Sequence, residues 1–494
     1  MNSKDDALRW IMKGAGITLI GLIASKLLGY AYRALLARGL GPEQYGVLSL
    51  GLAIVSIVGM IGLLGYNFGI ERFIGYYQDK KEQQDILHTA LYYTLPLSLV
   101  LALLLFLIAE PLAGVFRNNS ITPIIQLLAL TIPLTSFTEI GLAALKSTKR
   151  ITVSVATKKI LEPVIRILTT GLVLFLGYMT LGAAAAYVIA LIMVTGVCGW
   201  LLRKDLQGFW TAHKIYAQEL FTFSWPLLLT GVVYNIITWT DTLMIGYYLD
   251  ERLVGIYSVA IPTAGLLMIP QTIFESLFVP IVTRLHKEKK KQEMQDIYKQ
   301  VTKYMTILAL PILGILILFG QELLPLLFGT GYEAAYAPLV ILGLGYMFSF
   351  TTGPNGQLFH IFNETKAKFY LRLGVFLVNI LLNALLIPLY GISGAAIATA
   401  SAIALANIIN VVWYYQKEKM NPFSKELFIA GICAVVSAAS IEIFKISLEI
   451  LPLLGKTIIG VVLFSGIYGC LILLSKTCTL QEIKFWLQSL KNKS

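Results

Sequence analysis

Apolar runs of the length needed to cross a bilayer recur along this chain, one after another, from near residue 15 to near residue 475. A lipid-spanning helix needs about 20 such residues, and about fourteen runs reach or approach that length. In hydrocarbon every backbone polar group must be satisfied within its own segment, so the spans have to be helices. Composition agrees: 57% of the 494 residues are hydrophobic and only 13% are charged. The expected fold class is an all-α integral membrane protein of about 14 transmembrane helices.

The formal charge of +12 reads as topology rather than nucleic-acid binding. With both termini cytoplasmic, 31 of the 39 lysines and arginines fall on the inner side, as expected for a polytopic plasma-membrane protein. The densest basic run, RLHKEKKKQEMQDIYKQ (284–300), is expected to be a solvated cytoplasmic loop beside anionic headgroups. The tail LQEIKFWLQSL (480–490) has the spacing of an interfacial amphipathic helix.

The chain repeats itself. LGPEQYGVLSL (40–50) matches LDERLVGIYSV (249–259), with Gly46 shifted by 209 residues to Gly255. YMTLGAAAA (178–186) matches LYGISGAAIA (389–398), with Gly182 shifted by 212 to Gly394. Repeats of six spans keep one orientation, which predicts two lobes related by an axis along the membrane normal. The expected parts are lobes at 1–205 and 206–418, extra helices 13 and 14 at 419–476, and a cytoplasmic tail at 477–494.

Several chemistries have no support. LPLLGKT (451–457) lacks the first glycine of a phosphate-binding loop, because position 450 is Ile. The four histidines and four cysteines show no metal-ligand spacing, so neither cofactor nor metal is expected. A membrane glycan polymerase or ligase would need a carboxylate pocket on sizeable outer loops, and the longest outer loop offers only Glu322 and Glu333.

Charges inside the spans are the informative signal, since they are costly and commonly face a cavity. Lys26 lies near the middle of the first span, Arg33 is seven residues on, and Tyr30 sits between them. The 209-residue shift carries Lys26 to Asn235 and Arg33 to Thr242, beside Asp241. Arg33 and Asp241 are therefore expected to pair when the outer mouth of the cavity closes. Toward the cytoplasm, Arg72, Glu139, Glu275 and Arg284 are candidates for an inner gate or a proton-linked site, against the plainer reading of interfacial charge. Glu162 and Arg166, spaced i and i+4, read as a private intrahelical ion pair.

TLIGLIASKLLGYAYRALLARGLGPEQYGVLSLGLAI, ERLVGIYSVA and LLFGTGYEAAYAPLVILGLG resemble, in order and spacing, the polysaccharide-unit flippases of the multidrug/oligosaccharidyl-lipid/polysaccharide exporter superfamily. The resemblance covers nearly the whole chain. It implies transport, without catalysis, of a lipid-linked oligosaccharide on a polyprenyl phosphate or diphosphate by alternating access. Its implied partners are that substrate, membrane lipids, a coupling proton or sodium ion, and glycosyltransferases or a polymerase of the same pathway. By the same resemblance Lys26, Arg33 and Arg72 are the candidates to hold the phosphate; Tyr30, by its place between the first two, and Asn235, by the repeat shift, join them as substrate-binding candidates. The alternative within the superfamily is an ion-coupled multidrug antiporter, which favours acidic cavities and commonly has twelve spans.

Overall fold

The computed structural model describes residues 3–77, 79–148, 150–203, 216–448 and 452–478; side chains before residue 24 (Gly21 excepted) and from 444 to 451 are not described. The expected amphipathic helix at 480–490 lies outside the described residues. The first half runs α1 (Ser3–Gly62), α2 (Tyr66–Tyr76), α3 (Lys80–Leu107), α4 (Ala109–Val115), α5 (Ile121–Ala129), α6 (Thr131–Ser147) and α7 (Ile151–Ala156). A π-helical turn, Thr157–Leu161, leads into α8 (Glu162–Phe175), followed by α9 (Thr180–Leu202), α10 (Ala217–Tyr248) and α11 (Glu251–Ala264). Then come α12 (Met268–Lys287), α13 (Lys291–Phe328), α14 (Tyr336–Thr351), α15 (Asn355–Ile361), α16 (Thr365–Glu418), α17 (Lys425–Leu448) and α18 (Leu453–Leu474).

Among the described residues, 11 helices are long and apolar enough to cross a membrane. Two of the longest are each two helices joined at a glycine. Gly41 (φ 75°, ψ 171°) breaks α1, and Gly391 (φ 60°, ψ −140°) breaks α16. Both breaks need positive φ, which glycine adopts without the steric cost a Cβ imposes. After the first break Pro42 starts the new segment, a position where its missing N–H costs nothing. Pro96 in α3 and Pro311 in α13 sit inside helices that continue past them.

The chain forms two compact units, Met1–Val259 and Ala260–Ser494. Within the first, the two glycines equated by the 209-residue shift meet each other. A Cβ on Gly46 would lie 1.7 Å from the Glu251 carbonyl oxygen, and one on Gly255 would lie 1.8 Å from the Pro42 carbonyl oxygen. Pro42 and Glu251 are themselves related by 209 residues, so the contact is reciprocal. Backbones this close admit only glycine at both positions. Asn118 hydrogen-bonds the Glu251 side chain beside the crossing.

In the second unit, α14 and α15 meet at a break tied by asparagines. Asn355 donates to Thr352 (2.8 Å) and Asn407 (2.8 Å) and accepts from Asn410 (2.9 Å). These side-chain bonds tie the break to α16, and the Thr352 carbonyl left open there accepts from the Tyr298 hydroxyl (2.8 Å). Phe464 of α18 and Ile441 of α17 join Phe319 and Leu318 of α13 in one buried cluster, which docks the last two helices.

The basic run at 284–300 is not a loop. Only residues 288–290 separate α12 from α13, and the run is otherwise helical. Met294 and Tyr298 are 3% and 1% exposed, so the N-terminal part of α13 is amphipathic and anchored. Lys290 pairs with Glu288 (3.2 Å) and Glu293 (3.5 Å), which offsets the cationic repulsion a helix of this composition would otherwise carry.

Candidate functional site

On α1, Lys26 and Tyr30 are half-buried and Arg33 is exposed. The spacing of four and three residues keeps them on one side of the helix. Leu27, beside Lys26, is 55% exposed, so this stretch of α1 is only partly covered. Asn235 on α10 is half-buried, and its Oδ1 has no hydrogen-bond partner among the described residues. Asp241, one and a half turns further along α10, is buried and accepts a 2.7 Å hydrogen bond from the Tyr257 hydroxyl of α11.

Arg72 stands exposed near the end of α2, with its guanidinium 4.3 Å from the ring centre of Phe223 on α10. That stacking holds the charge with a net gain of about 0.5–1 kcal/mol at an exposed site. Its neighbour Glu71 pairs with Lys146 at 2.8 Å. Arg284 lies on the exposed end of α12, with 73% of its side chain accessible and Glu288 3.8 Å away. A cavity of about 660 Å³ is lined by Tyr77, Lys80, Gln83, Ser147 and Arg150, and none of the residues singled out from the sequence lies in it.

Glu139 belongs to a network that also absorbs the pair expected to be private. Lys158 lies 2.6 Å from Glu139 and 3.0 Å from Glu162, and Glu162 lies 2.5 Å from Arg166. Arg166 in turn donates to the Tyr187 hydroxyl at 3.0 Å and stacks 4.2 Å over its ring. The expectation of an isolated Glu162–Arg166 pair is therefore corrected: two carboxylates and two cations share one cluster from three helices. The π-helical turn is the device that joins them, because its extra residue per turn rotates Lys158 toward α6. The residue spacing Lys158, Glu162, Arg166 is visible in the sequence; the approach of Glu139 is not.

Glu275 on α12 accepts from Gln271 (2.7 Å) and from Gln357 of α15 (3.0 Å). Close by is a basic group missed in the sequence. Lys368, one turn into α16, donates to the Gly356 carbonyl (2.9 Å) and contacts His360 Nε2 at 2.8 Å. Nothing in the sequence pattern pairs the two, and only the tight connection between α15 and α16 brings them together.

The described residues form long apolar helices with no strand among them, and the first candidate span carries Lys26 and Arg33, an architecture that suits a membrane transporter. The chain belongs to the family described as polysaccharide biosynthesis protein, whose model matches residues 35–337. It is 23% identical over 398 residues to the probable low-salt glycan biosynthesis flippase Agl15 of Haloferax volcanii, covering 80% of this chain and 79% of that one. To the putative O-antigen transporter of Shigella flexneri it is 22% identical, over 82% of this chain and 98% of that one. Its fold matches the lipid II flippase MurJ in an inward closed conformation with a TM-score of 0.72, at 17% identity, over 92% of this chain and 98% of that one. An inward-facing multidrug resistance MATE transporter matches with a TM-score of 0.63, at 14% identity, over 82% and 98% of the two chains.

Proposed function

We propose that this protein is a flippase that carries a lipid-linked oligosaccharide, on a polyprenyl phosphate or diphosphate, from the inner to the outer leaflet. The observation that carries the reading is the pair Lys26 and Arg33 on one side of α1, within a candidate span, where charge is costly and commonly faces a cavity. An anionic, sugar-bearing headgroup loses its hydration on entering the membrane, and fixed cations replace part of it. The family and its flippase and O-antigen transporter relatives support the same substrate class.

In this reading the protein acts without catalysis, and both termini are cytoplasmic in a plasma membrane. The breaks at Gly41 and Gly391, with α7 and α8 joined through the π-helical turn, bring the span count from 11 to fourteen. Two six-helix repeats alternate in access, and the reciprocal contact of Gly46 with Gly255 parts during each cycle. Arg33 and Asp241 pair when the outer mouth closes; Arg33→Asp with Asp241→Arg then restores transport that either substitution alone removes. A multidrug antiporter is the second reading, favoured by the MATE-like fold. Lys26 and Arg33 would repel its cationic substrates.

The test uses liposomes with a fluorescent polyprenyl-diphosphate sugar in both leaflets. Outer-leaflet quenching beyond half the signal, dependent on the protein, supports the flippase. No crossing, with proton- or sodium-driven efflux of an organic cation, selects the antiporter.

A further inference from the structure

We propose that Lys368, His360 and Arg372 form a second, proton-linked docking site for the phosphate end of the carried lipid, built at the cytoplasmic side of the second unit. The inference rests on the flippase reading and adds a site to it.

The geometry begins with α16. At about 100° per residue, Lys368, Arg372, Asn379 and Asn383 fall within roughly 60° of one another on that helix. Asn379 and Asn383 are 7% and 0% exposed, so this side of α16 faces protein. Tyr370, Leu377, Leu381 and Leu385, each more than half exposed, occupy the opposite side and form its lipid-facing stripe. Arg372 is nevertheless exposed, as is His360. Cations exposed on the side away from the lipid stripe line an opening rather than a bilayer contact.

The charge balance then separates this cluster from its surroundings. The carboxylates near it are already engaged. Glu275 of α12 holds the amides of Gln271 and Gln357, and Glu364 is held by Lys417, Trp413 and Tyr414. Two cations face one carboxylate whose oxygens already accept from two amides, neither cation makes an ion pair among the described residues, and a surplus of positive charge stays available to an anion. Guanidinium and ammonium donors side by side suit the several oxygens of a phosphate or diphosphate.

His360 makes the site sensitive to protons. The charged groups that act on it are Lys368 and Arg372 from α16, and Glu275 of α12 acts in turn on Lys368. Partial burial, with the charges of Lys368 and Arg372, holds its imidazole below the ordinary value. It is therefore neutral at pH 7, and Nε2 accepts from the Lys368 ammonium. An arriving dianion offsets the two cations and favours the protonated ring. Protonation turns Nε2 into a donor, so it releases Lys368, and both groups then donate to the ligand. Binding accordingly takes up a proton.

The experiment uses the full chain in nanodiscs of phosphatidylcholine, with labelled histidine rings and His360→Asn to assign the resonance. Geranyl diphosphate is the probe. The expected result is a rise of about one unit in the His360 titration midpoint. Lys368→Gln and Arg372→Gln should each weaken the binding read from that resonance by roughly tenfold, while Lys368→Arg retains it. A resonance that does not move, or that moves at the same probe concentration in both glutamine variants, overturns the site. Inorganic diphosphate or phosphatidylglycerol acting as effectively as geranyl diphosphate overturns the assignment to the carried lipid. The flippase reading fails separately: a chain that moves no labelled lipid yet shows the shift loses that reading and keeps the site.

Discussion

Two charge clusters in this molecule use the same residue types to opposite ends. Glu139, Lys158, Glu162 and Arg166 in the first unit form a closed set of two acids and two bases, each within 3.0 Å of an opposite charge. Lys368, His360 and Arg372 in the second unit form an open set, with Glu275 beside them already holding two amides. Closed sets hold helices together, because the cost of burying each charge is met inside the protein. Open sets carry a surplus that a ligand can meet. The balance of charge, more than the depth of any one residue, tells architecture from binding.

The closed set should break first and hardest. Glu162→Gln leaves Lys158 with Glu139 alone and takes from Arg166 its carboxylate partner, and removing a partner from a buried ion pair costs about 3–5 kcal/mol. Thermal unfolding of the purified protein should show a large loss of stability. Glu139→Gln should cost less, since Glu162 still holds both cations.

The two cations on α1 should behave in the reverse way. Lys26→Ala together with Arg33→Ala should slow lipid crossing by tenfold or more, about 1.4 kcal/mol in the barrier, with the unfolding temperature little changed. A fall in stability as large as that of Glu162→Gln would move these residues into the structural class.

Glu364 sharpens the comparison through pH. Burial alone would raise its carboxyl, but hydrogen bonds from Lys417, Trp413 and Tyr414 outweigh it and hold the group below the usual carboxylate range. Its contribution is therefore present above the unfolded-state value and lost as pH falls through the lower folded value. Stability should decline on acidification below about pH 4.5, and Glu364→Gln should flatten that decline. The smallest effect belongs to Arg284→Ala. Its pairing with Glu288 is solvated, so less than about 0.5 kcal/mol should be lost.

The sequence carried more of the frame than of the contacts. Periodic apolar runs specify spanning helices because lipid permits little else. Gly46 and Gly255 were legible as equivalent, since a reciprocal backbone approach leaves a glycine at the same place in each repeat. The nature of the charged clusters was not legible. Whether Glu162 is private depends on Glu139, over twenty residues away, and on a π-helical turn with no distinct sequence signature. Lys368 looked like any inner-side lysine until the connection between α15 and α16 set it against His360. The run at 284–300 read as a loop because its charges are dense, yet Met294 and Tyr298 keep it helical.

The central claim, that the cations on α1 select an anionic headgroup, is tested most directly by comparing two labelled lipids in the same proteoliposomes. One is a polyprenyl-diphosphate sugar and the other carries the same sugar on a polyprenol without phosphate. The account predicts protein-dependent crossing of the first, little of the second, and loss of the difference in Lys26→Ala with Arg33→Ala. Equal crossing of both lipids, unchanged in that variant, would contradict it.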